Sequence, residues 1–395
     1  MEIRLLDLAD SEESYRLGVE AFGPPRPGAP PFEVPAELPP GRHVWGAFDR
    51  GRLVGRVAGL EFESWWHGRR VPTCGVASVA IAPEHRGRGL LRPLFAAMLE
   101  QSAERGEVVS ALYPTAHGIY RGLGYEIVTS YDTVELPTTE AALVPRPEGI
   151  EVRRAATADV PAIRALYDTW AAAQNGPLTR TGPRFGAGDA GLLDDFTGVS
   201  VAVDPDDRVL GFASWDRTGG YDASGRIEVW DLLGATGDAY RALWAMLGTN
   251  RSATGSVSLR TSGHDPARLA LPSAAWPVTR RHSYMLRLDH PAAAIAAVLG
   301  GHAGGSDPIA LTVLGDRLRP EPRHLVLDPR EGTCVEVADQ RPATTFTASG
   351  IALLYAGVQN CANLRLLGLL SGPSEHDGAL DAIFTGRPVH IRDYF

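Results

Sequence analysis

Residues 76–99 read V-A-S-V-A-I-A-P-E-H-R-G-R-G-L-L-R-P-L-F-A-A-M-L, and after a polar break residues 108–125 read V-V-S-A-L-Y-P-T-A-H-G-I-Y-R-G-L-G-Y. Val and Ile alternate over 76–82, the pattern of a strand with a buried face, and Pro83 stops it. Leu90, Leu91, Leu94, Phe95, Met98 and Leu99 then recur at helical spacing. Between strand and helix stands Glu84-His85-Arg86-Gly87-Arg88-Gly89. Its glycines let the backbone approach a ligand, and the free N–H groups of the helix start point into the turn. With Arg86 and Arg88 beside them, these groups make a site for a diphosphate. A second strand over 108–113 follows, then a turn and Tyr120.

The kinds of phosphate ligand narrow quickly. A Walker loop needs a lysine, and the chain contains none. A dinucleotide fingerprint needs a third glycine where Arg92 stands. What is left is a hydrophobic strand, Arg-Gly-x-Gly, a helix, a strand, and then Ile-Tyr-x-x-x-Gly-Tyr. This ordered set resembles the acetyl-coenzyme A site of the GNAT superfamily of N-acetyltransferases. The plain alternative is an ordinary strand-to-helix turn with two surface arginines.

A chain of 395 residues is too long for one such domain, so two or three are expected. Hydrophobic content of 44% and charged content of 22% describe a soluble globular protein. No apolar run reaches membrane-spanning length and no signal peptide opens the chain, so a cytoplasmic protein without membrane partners is expected. Cys74, Cys334 and Cys361 are scattered, which excludes a disulfide framework or a cysteine metal motif. A net charge of −9 argues against nucleic acid as a partner and suits cationic substrates better. All 38 basic residues are arginine, so the protein cannot acetylate its own lysine side chains.

In chain order, 2–8 reads as a strand and 11–22 as a helix with Asp10 or Ser11 as N-cap. Residues 24–40 are too rich in Pro and Gly for regular structure, and read as a surface loop or as a lid beside a pocket. Residues 43–48 and 53–62 form a hairpin turning at Asp49-Arg50-Gly51. Trp65 and Trp66 at its end read as core or as a wall for a substrate ring. Residues 126–136 form a strand and 137–149 a linker.

The chain then starts again. Ile150-Glu151-Val152-Arg153-Arg154 echoes Met1-Glu2-Ile3-Arg4-Leu5 at an offset of 149 (152 minus 3). Arg241-Ala-Leu-Trp-Ala-Met-Leu matches Arg92-Pro-Leu-Phe-Ala-Ala-Met at the same offset (241 minus 92). Equal offsets at separated places indicate a duplicated fold. In the second copy Arg86-Gly87-Arg88-Gly89 becomes Ala235-Thr236-Gly237-Asp238, so that copy should bind no cofactor. From about His290 the pattern changes to an Ala-rich helix at 291–299, strands at 309–314, 324–327 and 333–337, and helices at 347–355 and 361–370. The apolar end, Val389-His390-Ile391-Arg392-Asp393-Tyr394-Phe395, suggests a docked terminus.

Taken whole, the chain resembles the enhanced-intracellular-survival (Eis) family of acetyltransferases. The resemblance implies an α+β chain of tandem GNAT-fold domains, active over 1–140 and degenerate over 150–288, then a sterol carrier protein-like α/β domain over 289–395. It implies a homohexamer that acetylates amines of aminoglycosides and other cationic small molecules with acetyl-CoA and no metal. Carried over by motif, Val79, Ala80 and Ile81 would bond the pantetheine. Arg86, Gly87, Arg88, Gly89, Leu90, Leu91 and Arg92 would hold the pyrophosphate, and Thr115 with Ala116 would flank the thioester. Tyr120 would be the general acid and the carboxylate of Phe395 the base. Glu20, Phe22, Tyr113 and Asp393 are the candidates for the acceptor pocket.

The groups suit the chemistry. An amine must lose a proton to attack a thioester, and the departing thiolate must gain one. Tyr120 can donate it, with a nearby helix end expected to lower its pKa, and a backbone N–H near Val79 or Ala80 can stabilise the oxyanion. His117 is an alternative acid or base. No G-x-S-x-G or S-x-x-K is present, in keeping with direct transfer. Two rival classes are a protein lysine acetyltransferase and a non-catalytic lipid binder that lines a tunnel with the apolar residues of 351–370.

Overall fold

Alternating apolar side chains give strands one buried face each, and a long run of such strands must find partners for every edge. The computed structural model describes residues 1–25, 28–186, 189–272, 276–299, 307–338 and 344–395. Its strands up to residue 288 are β1 (Glu2–Leu5), β2 (Arg42–Asp49), β3 (Arg52–Trp66), β4 (Arg69–Ile81), β5 (Val109–Leu112), β6 (Glu126–Pro137), β7 (Glu151–Arg154), β8 (Gly198–Val203), β9 (Val209–Thr218), β10 (Arg226–Gly234), β11 (Ser256–Thr261) and β12 (Val278–Leu288). They form one sheet in the order β1-β2-β3-β4-β5-β12-β6-β11-β10-β9-β8-β7.

The centre of that order is crossed. β12 runs antiparallel to β5, from Met285 opposite Leu112 to Leu288 opposite Val109. Its other edge pairs with β6, which in turn pairs with β11 from Ser256 opposite Pro137 to Thr261 opposite Asp132. Each half thus lends its last strand to the other, and the sheet is continuous through both.

The duplication is visible in side-chain detail. Arg4 forks onto Asp10 at 2.6 and 2.7 Å, and Arg153 onto Asp159 at 2.7 and 2.9 Å, both residues offset by 149 (153 minus 4, 159 minus 10). Each fork is a bidentate charge-assisted pair, stronger than a single neutral hydrogen bond. It also changes two expectations. The first strand ends at Leu5 instead of residue 8, because Asp7 accepts the N–H of Ala9 and opens a tight turn over Leu8–Asp10. Asp10 occupies the N-cap position of helix α1 (Ser11–Phe22) without capping it, since Arg4 has taken its carboxylate. The hairpin at Arg50 and Gly51 turns as expected, with φ of 51° and 79°.

Helix α2 (Leu91–Glu104) and α1 cover one face of the first half, where Leu94, Phe95 and Met98 meet Val57, Cys74, Leu112 and Met285. Successive strand residues face opposite ways, so Tyr284, Leu286 and Leu288 point to the other face. There they join Trp66, Val71 and Val109 in a core shared with the last third of the chain. That third adds the helix Pro291–Leu299 and strands β13 (Ile309–Val313), β14 (Arg323–Asp328), β15 (Thr333–Val337), β16 (Thr344–Phe346) and β17 (Leu370–Ser371), ordered β15-β14-β13-β16-β17. The helix expected over 361–370 stops at Leu366, because Gly368 turns with φ 68° and the chain goes into β17. Trp66 is fully buried against Tyr355 and is core.

Candidate functional site

The decisive feature is a gap in the sheet. β4 pairs in parallel with β5 from Thr73 opposite Val109 to Val76 opposite Leu112, where β5 ends while β4 continues to Ile81. Beyond Val76 that edge of β4 has no strand beside it among the described residues. On its other edge the register against β3 slips between the pairs Ala58–Ala77 and Arg56–Ala80, a bulge at Ser78 and Val79. Ser78 carries φ 54°, a left-handed conformation that costs a non-glycine residue energy and that recurs at functional sites. The bulge bends β4 away from β5, so Val79, Ala80 and Ile81 flank an opening.

The turn that follows is open to a ligand. Gly87 and Gly89 have φ of 75° and 77°, and a Cβ at either would meet nothing within 4 Å. Both glycines are therefore required by conformation and border free space. α2 starts at Leu91 with no side-chain cap, so its first N–H groups are available. Arg86, Arg88 and Arg92 are exposed, with Arg86 Nε donating to Ile81 O at 3.2 Å. Leu90 is buried and Leu91 half-buried, anchoring the helix start. Arg92, Arg121 and Arg317 border a groove of ≈580 Å³ at this end. The corresponding turn of the second half is closed. Thr236 accepts the N–H of Ala239 at 3.1 Å, and Asp238 pairs with Arg241 at 2.6 Å.

Thr115 and Ala116 are exposed in the turn before helix α3 (His117–Arg121), which carries Tyr120. The Tyr120 ring is buried against Phe95 and Tyr125, at 6.1 and 6.3 Å between centroids. Its hydroxyl makes no hydrogen bond among the described residues. Burial pushes its pKa above the ordinary 10, opposite to the lowering expected from a helix end. A five-residue helix has little dipole, and desolvation of a phenolate outweighs it. His117 is exposed and bonded through Nε2 to Ser283 Oγ at 2.9 Å.

On the opposite face the last seven residues are locked in place. His390 N donates to Asn175 O at 3.0 Å, Arg392 pairs with Asp265 at 3.2 Å, and Asp393 with Arg180 Nε at 2.9 Å. Arg180 also bonds Asp231 at 2.7 Å. Burial works against the Arg180 charge, but the two aspartates outweigh it and raise the guanidinium pKa well above its usual value. The Phe395 ring packs on Phe62, Tyr113 and Tyr284 at 5.0, 5.3 and 6.4 Å. A Cβ on Gly75 of β4 would come within 3.0 Å of it. Phe395, Tyr394 and the β4 residues Ala77 and Ser78 wall a cavity of ≈850 Å³ together with Phe62, Tyr131, Tyr167 and Arg180.

The acceptor candidates scatter. Asp393 lines this cavity but is spent on Arg180. Tyr113 lies behind Tyr394 at 4.4 Å, its hydroxyl donating to the carbonyl of Asp393. Phe22, 57% exposed, borders a separate cavity of ≈400 Å³ beneath the 28–39 loop, where Tyr15 stacks on Phe32. Glu20 is exposed on α1 and is not in the lining of either cavity. Arg42, Tyr167, Arg180 and Asp231 were not anticipated. They come from separate segments with no local motif, and only the assembled cavity unites them.

Residues 2–128 match a family model described as an acetyltransferase (GNAT) domain, and residues 186–288 match a second model of the same description. An uncharacterized N-acetyltransferase of Streptomyces coelicolor is 28% identical over 268 residues, spanning 62% of this chain and 63% of its own length. The N-acetyltransferase Eis of Mycobacterium tuberculosis is 37% identical over 86 residues, 22% of this chain and 21% of that protein. A GCN5-related N-acetyltransferase from Kribbella flavida superposes with a TM-score of 0.79 at 28% identity, over 100% of this chain and 98% of its own. The chain carries two acetyltransferase (GNAT) domains in tandem and is an acetyltransferase.

Proposed function

We propose that the first half transfers the acetyl group of acetyl-CoA directly to a primary amine of a small molecule. One observation supports this most: the gap between β4 and β5 has the glycine turn and Tyr120 on one side and the ≈850 Å³ cavity ending at Phe395 on the other. Acetyl-CoA supplies the activated thioester. The open glycine turn, Arg86, Arg88, Arg92 and the α2 start hold its pyrophosphate, and the free edge of Val79, Ala80 and Ile81 its pantetheine. Thr115 and Ala116 flank the thioester. The amine enters from the cavity, and its nitrogen bonds the acetyl carbon as the C–S bond breaks. The Phe395 carboxylate takes the nitrogen's proton, and Tyr120, fully protonated at neutral pH, gives one to the sulfur. The N–H of Val79 or Ala80 faces the negative charge developing on oxygen.

The wider reading follows the Eis resemblance: an aminoglycoside-type acceptor, three units over 1–140, 150–288 and 289–395 with the last folded like a sterol carrier protein, a hexamer, and a cytoplasmic setting. Three free buried cysteines suit a reducing compartment. Leu366 and Leu367, 81% and 69% exposed on the last third, suit a surface that self-associates. Screening amines with acetyl-CoA and thiol detection tests the reaction, and no thiol release with any amine would refute it. A light-scattering mass equal to one 42.2 kDa chain would refute the assembly.

A further inference from the structure

The charges of the large cavity are nearly balanced, five arginines against four aspartates and the Phe395 terminus, which suits a zwitterion better than a polycation. Asp231 and Asp393 share Arg180 between them, and Asp168 lies 3.9 Å from Arg70. Asp195 sits at the exposed rim. Arg42, half-buried at the head of β2, donates to Ser78 Oγ at 3.2 Å and has no carboxylate within 4 Å among the described residues. Arg184, exposed on the turn Pro183–Phe185, lines the same cavity and makes no ion pair among the described residues. Burial and the neighbouring Arg184 both lower the Arg42 pKa.

A half-buried guanidinium without a carboxylate partner costs electrostatic energy that a bound anion would recover. Arg42 adjoins the β4 bulge through Ser78, beside which the acetyl group would be presented. The same cavity ends at Phe395 and has an aromatic wall of Phe62, Tyr131, Tyr167 and Trp230. The cavity therefore offers one acceptor for an ammonium, a fork of donors for an anion, and rings for an apolar body.

We propose that the acceptor is a small zwitterion, an aromatic amino-carboxylate whose carboxylate binds Arg42 and Arg184 while its amine faces Phe395. This rests on the acetyltransferase reading above and replaces the polycation as its substrate class. Calorimetry on CoA-loaded protein tests it with phenylalanine, tyrosine and tryptophan against their carboxamides, paired with thiol release from acetyl-CoA. At least one acid should bind about tenfold tighter than its amide, the scale of a charge-assisted contact. Arg42→Gln and Arg184→Gln should bring that ratio near one and raise KM more than they lower kcat, with their Tm and CoA affinity reporting that they are folded. Amides that bind as well as acids, no binding by any acid, or variants that keep the ratio would overturn the inference. Thiol release with kanamycin or an amide alongside any of these leaves the acetyltransferase reading intact. Acid-selective binding with no thiol release from any amine supports the arginine site and contradicts that reading instead.

Discussion

Tyr120 and Phe395 belong to core clusters on opposite faces of one sheet, and the proposed reaction needs the gap beside β4 to join them. If each moves one proton, Tyr120→Phe should cost kcat about 10²–10⁴-fold, and a few residues added after Phe395 should cost a similar factor by displacing its carboxylate. Both proteins should bind acetyl-CoA normally, and the double variant should lose less than the product of the two. Full activity of the extended protein would remove Phe395 from the mechanism. His390 offers a pH test of the docked terminus. Burial, helped by Arg392, lowers its pKa from 6.5 to about 3. Above pH 6.5 it is neutral folded and unfolded. Between 6.5 and 3 only the unfolded chain takes the proton, so stability falls with pH by up to ~1.4 kcal/mol per unit from this group. Thermal unfolding of His390→Gln should lose less between pH 7 and 4 than the parent does. Equal acid slopes would contradict a buried neutral imidazole.

Among the elements, the two strand–turn–helix units diverged at the turn. The first leaves its helix start uncapped behind two glycines with positive φ, while the second caps it with Thr236 and puts Asp238 on the first turn. Calorimetry should accordingly return one acetyl-CoA per chain. Gly89→Val should weaken that binding more than Arg88→Ala, because valine resists φ 77° and fills the approach, whereas Arg88 is an exposed charge that solvent screens. The opposite order of dissociation constants would mean that charge, not backbone access, dominates.

For the whole molecule the exchanged strands matter most. A fragment ending near residue 140 keeps β5 and β6 but loses β12, which lies between them with Tyr284, Met285 and Leu286 at 1% exposure or less. It also loses the last third, which covers the other face. Its bare edges and apolar face should make it aggregate or stay unfolded, whereas a self-contained domain would express soluble and bind acetyl-CoA. Solubility on expression and far-UV circular dichroism of residues 1–140 decide between the two.

The stretch from Val76 to Tyr125 determined the chemistry-bearing unit by itself. Its strand, glycine turn and helix are local, fixed by alternation, helical spacing and the freedom of glycine at positive φ. The duplication was equally legible, since each copy must repeat its own contacts, down to the forks Arg4–Asp10 and Arg153–Asp159. Tertiary structure alone decided the rest. Nothing local says that β12 will pair with β5, because strand partners are chosen by burial across the whole sheet. The large cavity joins side chains from β2, β3, the 178–185 segment, β10 and the terminus. The half-buried Arg42 and the bridge of Arg180 between Asp231 and Asp393 arise only where those segments meet, as does the rise in the Tyr120 pKa, because burial and charge pairing are properties of the assembled interior.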